Sequence, residues 1–198
     1  MAWDIERTKR LLLDAATAEF RDNGLAGARV DRIATEAGVN KERIYQYFGR
    51  KDDLFDVVIA TQLRRVMDEV PIEGDGPEAL ADYAGRLFDH HQADAVLPRL
   101  LFWEGLERGD RVVDRAERTD RCRSKIDRTL EALPGVARED AADLLLTIIA
   151  LCDAWAVLPE LDGLMVGRSA GRVARRRSVV VNTVRLAAQA LVDELVDA

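Results

Sequence analysis

The sequence predicts an all-α fold, and three observations carry that prediction. Apolar residues recur at three- and four-residue steps in every long segment, the period of a helix with one buried side. Asn23-Gly24, Gly38 and Pro134-Gly135 punctuate the chain as helix stops. No segment needs a strand. The chain has 198 residues, 48% of them apolar, enough for one small helical unit and a larger helical body.

The first helix is expected over residues 5–22, with Leu12, Leu13, Ala16 and Phe20 inward and Asn23-Gly24 as its end. Val30, Ile33, Ala34 and Ala37 then make one stripe on a short second helix, and Gly38 closes it. Asn40 is placed to cap a third helix by accepting a backbone N–H. Ile44 and Phe48, four apart, give that helix its buried side. Two short helices across a Gly-containing turn are the sequence form of a helix-turn-helix. A 100° step puts Glu42, Arg43 and Gln46 furthest from the core, flanked by Tyr45 and Tyr47, with Lys41 at the helix start. Arg pairs bidentately with guanine and Gln with adenine in the major groove. Tyr hydroxyls and Lys are typical phosphate contacts, and Lys51 opens the following helix close by. The plain alternative is a solvated polar face.

The spacing of these pieces carries more than periodicity does. TKRLLLDAATAEF, NGLAGARVDRIATEAGV and NKERIYQYFGRKDDLF resemble the N-terminal domain of the TetR/AcrR family of transcriptional regulators across Thr8 to Phe55. That resemblance implies that Lys41, Glu42, Arg43, Tyr45, Gln46, Tyr47 and Lys51 occupy the operator-contacting positions, with Asn40 beside them. The match has departures. Ala28 and Arg29 stand where Thr and Ser are common, so the usual side-chain cap of the second helix is missing, a loss of about 1 kcal/mol. Arg29 could reach a phosphate instead. Glu42 and Arg43 replace small residues, and Glu19 replaces an apolar one.

A fourth helix begins near Lys51 and carries Leu54, Phe55, Val58, Ile59, Leu63, Val66 and Met67. PIEGDGP, Pro71 to Pro77, is the clearest linker-like break. The expected division is therefore residues 1–50 as the helix-turn-helix domain and 51–198 as the larger domain, with a connecting helix over about 51–69. Residues 77–91 form the next helix, with Leu80, Tyr83, Leu87 and Phe88 inward. Pro98 breaks or starts another, which carries Leu100, Leu101, Trp103 and Leu106 and ends near Gly109. Residues 110–133 make a helix rich in Arg, whose charge suits a solvated face with pairs such as Asp114–Arg118 and Glu117–Arg121. Residues 141–158 are apolar on nearly every side, which demands burial of most of the circumference. The last helix, from about Arg175 to Val196, carries Val180, Val184, Ala187, Leu191 and Leu195 on one stripe.

Charge is divided unevenly. The net charge of −7 speaks against a nucleic-acid partner at first. Residues 1–51, however, hold ten Lys/Arg against eight Asp/Glu, and the remainder nineteen against twenty-eight. A slightly basic head on an acidic body relies on a few placed cations rather than a broad field. The chain has no apolar run of about 18 residues to span a membrane and no signal-like start, so a cytoplasmic protein is expected. Cys122 and Cys152 are far apart, without metal spacing. Cys152 suits a small apolar role. Cys122, between Arg121 and Arg123, leaves a redox-active thiol open beside an ordinary surface role. His90 and His91 point to different sides of one helix and make no ready metal pair. No GxSxG, phosphate loop or HExxH supports an enzyme, and neither metal nor cofactor is implied.

The resemblance implies a homodimer whose recognition helices meet a palindromic double-stranded operator, and a small-molecule effector pocket in the larger domain. Tyr83, Phe88, His91, Phe102, Trp103 and Trp155 are the candidate walls, suited to a largely apolar ligand, with core packing as their alternative. The last two long helices would close a four-helix interface with a second copy. Leu145, Ile148, Cys152, Val180, Val184, Ala187, Leu191 and Leu195 are its candidate residues, against the alternative that they fill one protomer's core. Repression relieved by a ligand is the expected output. An activator or a protein-binding adaptor on the same fold are the alternatives.

Overall fold

In the computed structural model the described residues are 2–109, 115–167 and 169–196. Among them are ten α-helices and no strand: α1 Ala2–Gly27, α2 Val30–Ala37, α3 Glu42–Phe48, α4 Lys51–Glu69, α5 Gly76–Ala93, α6 Val96–Arg108, α7 Arg115–Ala132, α8 Arg138–Val157, α9 Pro159–Val166 and α10 Arg172–Val196. The chain forms two compact units. One contains residues up to Met67 together with α6; the other contains Asp68–Ala95 with α7 through α10.

The first unit is built around Leu12, Ala16, Phe20, Ile33, Ile44, Leu54 and Phe55, all buried, with the Phe20 and Phe55 rings edge to face at 5.0 Å. The Asn23-Gly24 stop is realised as a kink: Gly24 leaves helical geometry (φ 66°, ψ −176°), and one further turn follows to Gly27. Leu100 of α6 completes this core. α6 grips the end of α1 with polar groups as well. The Trp103 indole and the Arg99 guanidinium each donate to the Arg21 carbonyl at 3.1 Å, and Glu107 accepts the Ala26 N–H at 2.8 Å. Arg108 pairs with Asp56 and Asp52 and lies 5.0 Å from the Phe55 ring centroid. Burial raises the Asp56 carboxyl above its ordinary pKa despite that guanidinium.

The second unit is organised on α5. Its Leu80, Tyr83, Ala84, Leu87 and Phe88 are buried, as are Val180, Val184 and Ala188 of α10 and Leu144, Leu145, Ile148 and Cys152 of α8. α8 was expected to be buried over most of its circumference, and it leaves one side open: Leu146 is 65% exposed, and Thr147 and Ala150 are exposed beside it. α9 has no counterpart in the sequence reading, although Pro159 at its start and Glu160 and Asp162 in its first turn are start signals. Pro98 lies in the first turn of α6 rather than before it, where proline's missing N–H costs no hydrogen bond. The Glu117–Arg121 pair of α7 forms at 3.2 Å, while Asp114 lies outside the described residues. No single helix among the described residues is long and apolar enough to cross a membrane.

Candidate functional site

The outward face of α3 owes its shape to the turns on either side. At the end of α2, Gly38 is left-handed (φ 66°), its N–H bonds the Thr35 carbonyl, and the Val39 N–H bonds Ala34, a Schellman closure. Asn40 Oδ1 then accepts the Glu42 N–H at 3.3 Å and so caps α3. Ile44, 0% exposed, anchors the helix from beneath. Beyond Phe48, Gly49 turns with φ 80° and ψ −139°, where a Cβ would meet Asp53 Oδ2 at 2.6 Å. Only glycine fits there, and the same Asp53 oxygen accepts the Arg50 N–H at 2.7 Å to start α4.

Glu42, Arg43, Tyr45 and Gln46 are exposed together on α3, with Tyr47 half-buried. Arg43 Nη1 donates to Gln46 Oε1 at 3.0 Å and to the Tyr47 hydroxyl at 3.2 Å, and its guanidinium stands 5.8 Å over the Tyr47 ring. The two base-reading candidates are thus tied into one group rather than waving separately. Lys41 pairs with Asp31 at 3.2 Å, and that hydrogen bond pushes the ammonium above its ordinary pKa. The pairing leaves a positive charge at neutral pH but partly cancels its field.

Lys51 Nζ donates to the Ala28 carbonyl at 3.0 Å and the Ala26 carbonyl at 3.4 Å, which braces the turn entering α2. The uncapped start of α2 is not left open. Arg29 is extended there (φ −123°) and makes no side-chain cap, but Glu19 Oε1 accepts its backbone N–H at 2.9 Å. The same oxygen accepts Arg32 Nε at 2.8 Å, and Arg32 reaches the Gly27 carbonyl. The two departures at Glu19 and Arg29 are therefore one device: the carboxylate of α1 caps α2. Sequence spacing gave no sign of it, since the pair lies ten residues apart across a turn.

In the second unit a cavity of about 360 Å³ opens between the ends of α5, α8, α9 and α10, with His91, Ala95, Trp155, Ala156, Asp162 and Arg172 in its wall. Of the six aromatic wall candidates, His91 and Trp155 line it. Tyr83 and Phe88 are core residues instead, at 1% and 0% exposure. The Tyr83 hydroxyl accepts from Lys125 Nζ at 2.8 Å, and burial pushes that ammonium down to about 8. Phe102 and Trp103 fall in the other unit on α6, because that helix packs on α1. At the cavity, His91 Nε2 is 3.1 Å from Asp153 Oδ1, and Arg172 donates to Asp162 at 2.9 Å. Arg172 and Arg176 lie 5.1 and 5.6 Å from the Trp155 ring centroid.

The predicted stripe for a second copy also needs correction. Leu145, Ile148, Cys152, Val180 and Val184 are all buried within the protomer, against α5, and Ala187 and Leu191 are half-buried. Leu195 is exposed. Apolar residues facing outward include Leu146 and Ala150 on α8, and Val173, Val179, Leu186 and Ala190 on α10. Cys152, with burial raising its thiol to about 12, is a small apolar residue; Cys122 is exposed.

Comparison with known proteins fits this arrangement. Residues 12–58 match the family model for bacterial regulatory proteins of the tetR family, and residues 79–185 match the tetracyclin repressor-like C-terminal domain. The chain is 39% identical over 170 residues to the HTH-type transcriptional repressor SCO4008 of Streptomyces coelicolor, covering 84% of this chain and 87% of that one. Among solved structures it is similar to the putative transcriptional regulator SCO4942 of Streptomyces coelicolor, with a TM-score of 0.73, 32% identity, and coverage of 90% and 97%. A transcriptional regulator of Rhodococcus sp. Rha1 shares the fold at a TM-score of 0.67 and 20% identity, over 90% and 96%.

Proposed function

The chain belongs to the TetR family of bacterial transcriptional regulators, and on that premise we propose a repressor that binds a palindromic operator as a homodimer and releases it when a small molecule enters the second unit. The single observation behind the DNA role is the linked exposed set of Arg43, Gln46 and Tyr47 on a short helix anchored by Ile44. Arg43 and Gln46 read bases, and Tyr45, Tyr47, Lys41 and Arg29 meet the backbone. Glu42 repels phosphate and so faces the groove floor. One α3 is too short to read more than a few base pairs. Two copies holding theirs about 34 Å apart supply the rest.

The second copy docks on Leu146 and Ala150 of α8 and on Val179, Thr183, Leu186 and Ala190 of α10. These α10 positions are spaced four, three and four apart and form one exposed stripe. Coupling requires that effector and operator prefer different conformations. α5 ends at Ala93 and α6 begins at Val96, so the cavity-lining Ala95 is covalently next to the helix whose Trp103, Glu107 and Arg108 hold α1 and α4. A shift at Ala95 pulls on that helix. The protein acts in the cytoplasm, where operator DNA is found.

Fluorescence anisotropy on duplexes tiled across the flanks of its own gene tests the reading. The expected result is one palindromic duplex bound far more tightly than scrambled controls, with affinity falling as salt rises. Equal binding to all duplexes at every salt concentration would refute repression.

A further inference from the structure

We propose that the α5/α8/α9/α10 cavity takes a small organic acid, a carboxylate or acidic phenol on an apolar body, with its oxygen on His91 Nδ1 and its charge answered by Arg172. The inference deepens the repressor reading by naming the effector's chemical class, and it rests on that reading only for the ligand's regulatory role. The observations concern unmet hydrogen-bonding groups. His91 is 3% exposed and lines the cavity. Its Nε2 is committed to Asp153, while Nδ1 is buried with no protein partner. Buried polar atoms are nearly always paired, and leaving one unpaired costs about 1–3 kcal/mol.

The chemistry of the surroundings decides what the missing partner is. A second buried nitrogen without a partner is Arg176 Nε, on a guanidinium that lies over the Trp155 ring. Arginine can only donate, so Arg176 Nε calls for an acceptor. Arg172 is in the wall itself, and its partner Asp162 belongs to α9, so an anion would compete with that carboxylate. A cationic ligand would meet two guanidinium groups flanking the one aromatic wall. A carboxylic acid meets both kinds of group: its O–H can donate to Nδ1, and its other oxygen can accept from a guanidinium. The rest of the wall is mainly apolar, with Ala95, Trp155, Ala156 and Val173 alongside the polar Gln92 and Ser169, and about 360 Å³ suits a compact one- or two-ring body.

The test is titration calorimetry of the full chain with benzoate, naphthalene-2-carboxylate and decanoate, each paired with its amine counterpart of the same body. At least one carboxylate is expected to bind at least tenfold more tightly than its amine. His91→Leu and Arg172→Gln, confirmed folded by circular dichroism and by unchanged Trp103 packing in thermal melts, should each lose at least tenfold. Tighter binding of the amines overturns the proposal, as does no binding of any carboxylate. So does carboxylate affinity that both variants retain, since the ligand would then sit elsewhere. His91→Gln, which restores a side-chain amide donor near Nδ1, should recover part of the loss. Operator binding measured without any acid separates the two ideas: a protein that binds its operator yet ignores every carboxylate keeps the repressor reading and loses this one.

Discussion

The two units treat their polar groups in opposite ways. In the first, several polar side chains around the reading helix are already answered: Glu19 caps α2, Asp53 starts α4, Lys51 fastens the turn before α2, and Arg43 rests on Gln46 and Tyr47. In the second, His91 Nδ1 and Arg176 Nε are buried without partners, and Leu146 and Leu186 stand 65% and 67% exposed. The first unit presents a finished surface to a fixed target. The second keeps unmet groups, which the proposed effector and second copy would meet. A regulator needs both, because a shape that is complete everywhere has nothing left for a signal to change.

The contrast can be broken most severely at the outer face of the second unit. Leu186→Glu together with Leu146→Glu should convert a dimer to a monomer in light scattering and abolish tight operator binding, while each chain stays folded. A variant that remains dimeric would show that the copies meet elsewhere. Next in size is Ile44→Ala, which removes the buried anchor of α3 and should cost about 2–5 kcal/mol of the first unit's stability in urea titrations. Arg43→Ala should lose about 1–3 kcal/mol on the matched operator and much less on scrambled DNA. Equal losses on both would make Arg43 a backbone contact. Glu19→Ala should cost about 1–2 kcal/mol of stability by uncapping α2, with Glu19→Gln losing less because the amide oxygen still accepts. Lys51→Ala should weaken the first unit slightly and leave the salt slope of operator binding unchanged. A slope smaller by about one would give it a phosphate role as well.

Much of the first unit was legible in the sequence. Its helices are short, its stops are Gly and Asn with one conformational meaning, and a single apolar stripe per helix leaves one choice of inner face. Ile44 and Asn40 fell where spacing put them. What escaped notice were pairings across a turn or between distant segments, such as Glu19 with Arg29 and Trp103 with Arg21. Periodicity describes one helix at a time and carries no information about which other helix will supply a partner. The second unit was harder for a related reason. α8 and α10 carry apolar residues on more than one side, so their stripes could be assigned to the interior or to a second copy. Leu145, Ile148, Cys152, Val180 and Val184 suit either place by periodicity, and the fold buries all five within the protomer.

By itself the sequence determined that the chain is helical, where its reading helix lies, and which residues that helix turns outward, because those follow from local period and turn chemistry. Tertiary structure alone decided that α6 serves the first unit, that α9 closes a cavity against Trp155, and which apolar stripe stays uncovered. Those outcomes depend on competition among several apolar faces for a limited interior, and that competition is settled only when all the helices pack at once.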